Sequence, residues 1–412
     1  MRYIKINYII FCSVFLSLIV PLLVSGPFLP DLIVSLSSLI FLIYVFKNKV
    51  FFYFTKKPLV IFFIFCIYII FVSIFSADNV KLSFESSLFY FRIGIFSCLV
   101  WYLINQNNKI IDYFYYSLVL SFSALVIDGY FQYLTGFNLI GTPLQGVRVS
   151  SFFGDELIMG SYLSRLYPFA LAIFILRKNS KPEFYLICFL FVLTSGLIFI
   201  SGERTALFFH LLSLTFIIIL TKKLKLNKFL IFFGLIFAII TFSSINENLK
   251  KRMLMWPFDE MNISAEKKYV FTPAHDSLVK TAYNMFLDKP IFGHGPKMFR
   301  VICKNKKYAT GVSPCMSHPH NFYIQLLAET GIVGFMFLFS ALTYIIYCAL
   351  RQLKTFLFKE QSFLTDYQVC LLACLLITLW PLSPNGNFFN NWLAICYSLP
   401  VGFYLQSIYG NR

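Results

Sequence analysis

The chain has 412 residues, of which 58% are hydrophobic and 13% charged, with mean hydropathy +0.74 and net charge +17. Soluble domains carry about 25% charged residues, so a soluble globular enzyme is excluded and a polytopic all-α membrane protein is expected. The positive surplus needs no nucleic acid, because most of it is placed as a topology signal.

A span needs about 20 mostly apolar residues. Twelve segments qualify: 7–25, 31–46, 58–75, 86–104, 113–133, 158–176, 184–200, 205–221, 229–243, 332–350, 367–382 and 391–408. The first has a short basic lead and resembles a signal peptide, but further spans follow at once, which favours a retained anchor. With the N-terminus cytoplasmic, the inner segments hold Arg2, Lys5, Lys47, Lys49, Lys56, Lys57, Lys109, Arg177, Lys178, Lys181, Lys222, Lys223, Lys225, Lys228, Arg351, Lys354, Lys359 and Arg412. The short outer loops hold only Lys81, Arg148 and Arg204. That asymmetry puts both termini in the cytoplasm and the long polar connection at 244–331 outside. The whole of 1–412 reads as one membrane domain.

Charge in Gly141–Asp155 and Ser201–Thr205 lies near the bilayer, where it is expensive unless paired or used. Arg204 is either a clamp on a diphosphate, for which a planar guanidinium is apt, or the partner of Glu203, or a snorkelling side chain. Arg148 is a second candidate for the same cavity. Arg92 and Arg165 fall inside spans and Asp128 near the outer end of one; Arg92 and Asp128 are either functional or a structural ion pair. His210 stands alone in an apolar span and reads as a core histidine. Eight of the ten cysteines fall in spans and read as small buried hydrophobes.

The connection at 244–331 is basic, with Lys250, Lys251, Arg252, Lys267, Lys268, Lys280, Lys289, Lys297, Arg300, Lys304, Lys306 and Lys307. Such a surface beside an outer leaflet suits an anionic lipid head or a diphosphate, or is simply a solvated loop. Residues 276–287 have helical apolar spacing (Leu278, Ala282, Met285, Phe286), with His275 or Asp276 as the cap, and are expected to lie on the membrane surface. Phe292-Gly-His-Gly-Pro296 is a turn. Cys303 and Cys315 are a disulfide candidate in an oxidising compartment. Asn321 caps a helix running to Thr330, and Gly331 takes a left-handed cap position before the next span.

Four of the five histidines (His275, His294, His318, His320) share this connection. A helix N-terminus favours neutral imidazole and attracts anions, so His320 is the best-placed general base. His318-Pro-His320 is not a zinc pattern, and no cysteine or carboxylate is placed to complete one. No Gly-rich phosphate loop is present, so neither metal nor cofactor is expected.

Asp288-Lys-Pro-Ile-Phe-Gly-His-Gly-Pro296, followed by His318-Pro-His-Asn-Phe-Tyr-Ile-Gln-Leu-Leu-Ala-Glu-Thr-Gly-Ile-Val-Gly334, resembles the O-antigen ligase/polymerase superfamily. The signature is His320-Asn321, nine residues, then Gly331-Ile332. Ser201-Gly-Glu-Arg-Thr205 looks like that family's outer arginine turn, and Asp128-Gly-Tyr-Phe-Gln132 with Gly136 and Arg148 like its middle region. The likeness covers about 125–335.

The resemblance implies a glycosyltransferase that uses a polyprenyl-diphosphate-linked glycan at the periplasmic face of the bacterial inner membrane, without metal or ATP. It implies that His320 deprotonates the acceptor, with Asn321 and His318 beside it. Arg204 and Arg148 would hold the diphosphate; Arg300 and Lys297 are loop candidates for substrate binding that the family's motif does not itself mark. Direct attack would invert the anomeric centre. The leading expectation is an O-antigen ligase acting on lipid A–core. A polymerase or a protein oligosaccharyltransferase of the same superfamily is the alternative. A transporter or flippase would instead show broken helices and internal repeats, and a scaffold leaves His320 and Arg204 without a role.

Overall fold

The computed structural model describes residues 2–177, 180–222, 228–261, 269 and 271–410. Lys178, Lys223, Lys225, Lys267, Lys268 and Arg412, which entered the charge pattern, lie outside the described residues. Among the described residues the chain is all-helical, with two isolated bridges and no strand.

Each of the twelve apolar segments falls on helix. Seven helices are long and apolar enough to cross a membrane: Phe28–Asn48, Lys57–Phe75, Val80–Gln106, Lys109–Thr135, Met159–Leu176, Lys181–Ile200 and Phe322–Leu357. Ile9–Ser25, Arg204–Leu220, Ile231–Ile245 and Asp366–Thr378 are shorter apolar helices, and Asn391–Tyr409 closes the bundle. Large apolar side chains such as Phe46, Ile67, Leu134 and Phe237 remain exposed on the helix flanks, as a lipid-facing surface requires.

The helix ends sort into two polar faces. At one, Arg177 binds Asp112 and Glu183, and Lys222 meets Asp366 and the Glu360 carbonyl. At the other, the segments 76–79, 136–158, 201–203, 246–261, 271–321 and 379–390 meet, through contacts such as Lys289 Nζ to the Ser76 carbonyl (3.0 Å) and Asn321 Nδ2 to the Pro381 carbonyl (2.7 Å). The described candidate loop residues His275, His318, His320, Asn321, Arg148, Arg204, Lys297 and Arg300 are on this second face.

Three expectations are corrected. Arg92 pairs with Asp31, not Asp128. Asp128 accepts hydrogen bonds from Ser151 Oγ (2.6 Å) and the Leu139 amide (2.7 Å), so it shapes the 136–158 connection. The amphipathic helix runs from Pro273 to Asp288 and is capped by Thr272, whose Oγ1 accepts the His275 amide. Its apolar stripe does not lie on a membrane surface: Leu278, Ala282 and Met285 are buried against Phe299, Cys303, Tyr308 and Ala328. A protein partner was at hand, and burial there removes the same apolar area from water.

The 36-residue helix Phe322–Leu357 is interrupted at Gly331, with φ 63° and ψ −169°. The φ is positive as expected, but this ψ belongs to a region open essentially to glycine alone rather than to the left-handed helical cap. The turn 290–295 fills the gap. Ile332 donates to the Pro290 carbonyl (2.8 Å), and His294 and Gly295 donate to the carbonyls of Ala328 and Glu329 (3.0 and 2.7 Å). The backbones approach so closely that a Cβ on Gly331 would lie 2.2 Å from the Ile291 oxygen.

Candidate functional site

Asn321 begins the helix that carries the signature. Its Oδ1 accepts the amides of Tyr323 (3.0 Å) and Ile324 (3.2 Å), satisfying two first-turn donors. His320 precedes it with φ 55°. The strap 379–390 clamps this corner: the Asn385 amide donates to the His320 carbonyl at 2.7 Å. Deeper in the helix, Gln325 and Glu329 are fully buried. Gln325 Nε2 bridges Glu329 (3.0 Å) and Asn387 (2.9 Å), and Glu329 accepts the Phe299 amide (3.1 Å). This network locks helix, strap and the 293–299 turn together.

Three imidazoles converge. The ring centroids of His318 and His320 lie 4.1 Å apart, and those of His275 and His320 lie 5.5 Å apart, edge to face. Burial lowers the pKa of all three, against a weaker opposing pull from the Asn385 backbone at His320 and His318. His318 is pushed down to about 3. Arg204, and His320 whenever it is protonated, lower His275 further. All three are therefore neutral near pH 7, the state a proton acceptor needs. His294 is not part of the group: it is buried and bonds the Met285 carbonyl at 3.0 Å. His210 is a core histidine, 2.9 Å from Ser195 Oγ.

The cationic half of the site surrounds the turn Ser201-Gly202-Glu203. Arg204 begins its helix and pairs with Glu260 at 2.8 Å. Glu203 does not pair with Arg204. It accepts the Gly160 and Ser161 amides and Ser161 Oγ (2.6, 3.1 and 2.7 Å), capping Met159–Leu176. Burial raises its pKa, with Ser161 and Arg148 pulling the other way. Arg148 crosses the turn so closely that a Cβ on Gly202 would meet its Cγ at 2.7 Å, and Arg252 Nε donates to the Gly202 carbonyl at 2.9 Å. Both guanidiniums are destabilised, first by burial. Arg252 is destabilised further by repulsion from Arg148 and Arg204. Cations held together against their repulsion create a positive potential that a multivalent anion would relieve.

Arg252 and Glu260 were not singled out in the sequence. Arg252 was one charge in the run Lys250-Lys251-Arg252, and only contact with Gly202 distinguishes it. Arg300 and Lys297 are on the His318 side: Arg300 contributes to lowering His318, and burial with Arg300 lowers Lys297. Cys303 and Cys315 are joined by a disulfide, Cα to Cα 5.1 Å. Among the described residues, no group of three or more His, Cys, Asp or Glu is placed to hold a metal ion. A cavity of about 360 Å³ lies at the opposite polar face between Arg351, Lys354 and Phe363, remote from this chemistry.

Residues 189–339 match the O-antigen ligase family model. The match takes in Arg204, Arg252, His275, His318, His320 and Gly331, and agrees with the resemblance carried by the histidine block. No curated protein matches the chain. The apolar helices are those of a multi-pass membrane protein, and the stretch 189–339 is similar to O-antigen ligases. Arg148, Arg165 and the 379–390 strap lie outside the matched stretch, and the fold brings them to it.

Proposed function

We propose that the chain is an O-antigen ligase. It moves a glycan from a polyprenyl diphosphate to a lipid A–core sugar at the periplasmic face of the bacterial inner membrane. The observation that carries this reading is the pairing of a neutral histidine, His320, with a cluster of three arginines on one polar face. In this reading the chain crosses the membrane twelve times, with both termini cytoplasmic.

His320 takes the proton of the acceptor hydroxyl. The oxygen attacks the anomeric carbon, and the bond from that carbon to the diphosphate oxygen breaks. The electron pair leaves with the polyprenyl diphosphate, whose added charge Arg204, Arg148 and Arg252 stabilise. Attack from the face opposite the leaving group inverts the anomeric centre. His275 and His318, themselves neutral, pack around the base, and Asn321 holds the corner. Lys297 and Arg300 contact the glycan or the acceptor.

The test uses a strain lacking its own O-antigen ligase, complemented with wild type or His320→Ala at matched membrane levels. Lipopolysaccharide gels are expected to show the capped ladder with wild type alone. A ladder from both would remove His320 as the base. A ladder from neither, together with lost chain extension when the native gene is deleted, would replace ligase by polymerase.

A further inference from the structure

Arg165 stands apart from the arginines already described. It lies inside Met159–Leu176, six residues from the helix start and so about 9 Å along the axis. It is 6% exposed. Nε and Nη1 have no hydrogen-bond partner among the described residues, and Nη2 reaches only Asn385 Oδ1 at 3.4 Å. Phe209 stacks beneath the guanidinium, its ring centroid 5.0 Å away. No carboxylate ion-pairs with Arg165 among the described residues, and neighbouring Glu203 is committed to Gly160 and Ser161. An uncompensated buried cation is costly.

The strap facing it has the same imbalance. Asn385 and Ser383 are 5% and 2% exposed, yet Asn385 Nδ2 and Ser383 Oγ have no hydrogen-bond partner among the described residues. Turning the Asn385 amide over would aim its NH2 at the guanidinium, so the orientation that leaves Nδ2 free is the favourable one. The unused groups can all donate: two guanidinium nitrogens with three N–H between them, a carboxamide NH2 and a hydroxyl. Protein interiors rarely leave such a set unmatched.

We propose that Arg165 and Asn385, with Ser383 two residues along the same strap, form a buried oxyanion subsite joined to the His320 corner through Asn385, which takes a phosphate or carboxylate group of a substrate. The assignment of that group to a glycan-transfer substrate rests on the function proposed above. The donor's diphosphate and an acidic or phosphorylated sugar of the acceptor offer the same chemistry. The subsite is tied to the base through one residue: Asn385 faces Arg165 with its side chain and holds the His320 carbonyl with its amide. Filling it therefore orders the corner that positions His320.

The test is direct binding to the purified full chain in lipid nanodiscs, which requires no turnover. Three probes are titrated: inorganic pyrophosphate, a polyprenyl diphosphate carried in the disc, and a water-soluble sugar phosphate. Wild type is compared with Arg165→Met, Arg165→Lys and Asn385→Ala. Asn385→Ala keeps the backbone amide and serves if Arg165→Met does not fold. At least a tenfold loss for one probe in Arg165→Met or Asn385→Ala, with partial recovery in Arg165→Lys, is expected. Loss for polyprenyl diphosphate alone assigns the subsite to the donor; loss for the sugar phosphate alone assigns it to the acceptor. Unchanged affinity for all three probes in the folded variants overturns the proposal. If wild type ligates glycan while the variants bind as wild type does, the subsite fails and the function stands. If Arg165→Met weakens binding but no transfer is found for wild type, the function fails and the subsite stands.

Discussion

The Asn385 amide and the His320 carbonyl, 2.7 Å apart, join two segments 65 positions apart in the chain and place the candidate base. His320 needs this support because its φ of 55° is uncommon for a residue with a side chain. The helix cap that follows depends on the same strap through Asn321 Nδ2 and the Pro381 carbonyl.

Burial lowers the His320 pKa, so the neutral base persists below the ordinary histidine value of about 6.5. Glycan transfer assayed against pH should hold its rate as pH falls through that value and lose it only lower. An acid limb at or above 6.5 would mean that His320 is protonated more easily than its surroundings allow, and would count against it as the base.

The same burial links histidine to stability. The folded pKa of His318 is depressed to about 3, so its stabilising contribution is complete above the unfolded value of about 6.5 and is lost as pH falls from there towards 3. Thermal unfolding in detergent should show Tm falling across that window. His318→Asn should flatten the slope; an unaltered slope would place the acid sensitivity elsewhere.

Glu260 occupies the guanidinium of Arg204, with each side chain about a third exposed (35% and 32%). Ion pairs so open to water contribute about 0–1 kcal/mol. Glu260→Gln should therefore barely move Tm but should release Arg204 for an incoming anion. A several-fold lower KM for the diphosphate donor is expected, and a higher KM would show that Glu260 positions Arg204 instead.

The Cys303–Cys315 bridge closes a short loop, 12 residues in separation, whose far end leads into His318 and His320. By the loop-entropy argument, a link of this size contributes about 3 kcal/mol. Cys315→Ser, or reduction of the wild type, should lower Tm and transfer rate together. Peptide mapping that finds both thiols free in the active, oxidised protein would remove this role.

Gly331→Ala should be among the most damaging single changes. Its backbone region costs a side-chain-bearing residue about 1–3 kcal/mol, and the new Cβ would meet the Ile291 oxygen at 2.2 Å. Loss of folded protein in fluorescence-detected size exclusion is expected, whereas Val333→Ala beside it should be tolerated. A normal elution profile for Gly331→Ala would show that the 290–295 turn can retreat.

Local chemistry made much of this molecule legible in its sequence. Apolar runs dictate helices because unsatisfied backbone cannot sit in lipid. Asn321 announced a cap and Gly331 a break because short-range hydrogen bonding and the missing Cβ act within one helix end. What lay across the bundle was not legible. Arg92 chose Asp31 over Asp128, and Glu203 turned to cap a neighbouring helix rather than pair with Arg204. The amphipathic helix found a protein partner for its stripe. Arg252 and Asn385 became part of the site only by contact with Gly202 and His320. The sequence alone determined that this is a membrane bundle with four of its five histidines on one polar connection. Only tertiary structure decided which charges are spent on each other and which are left for a ligand, because Coulomb and hydrogen-bond energies depend on separation in space and not along the chain.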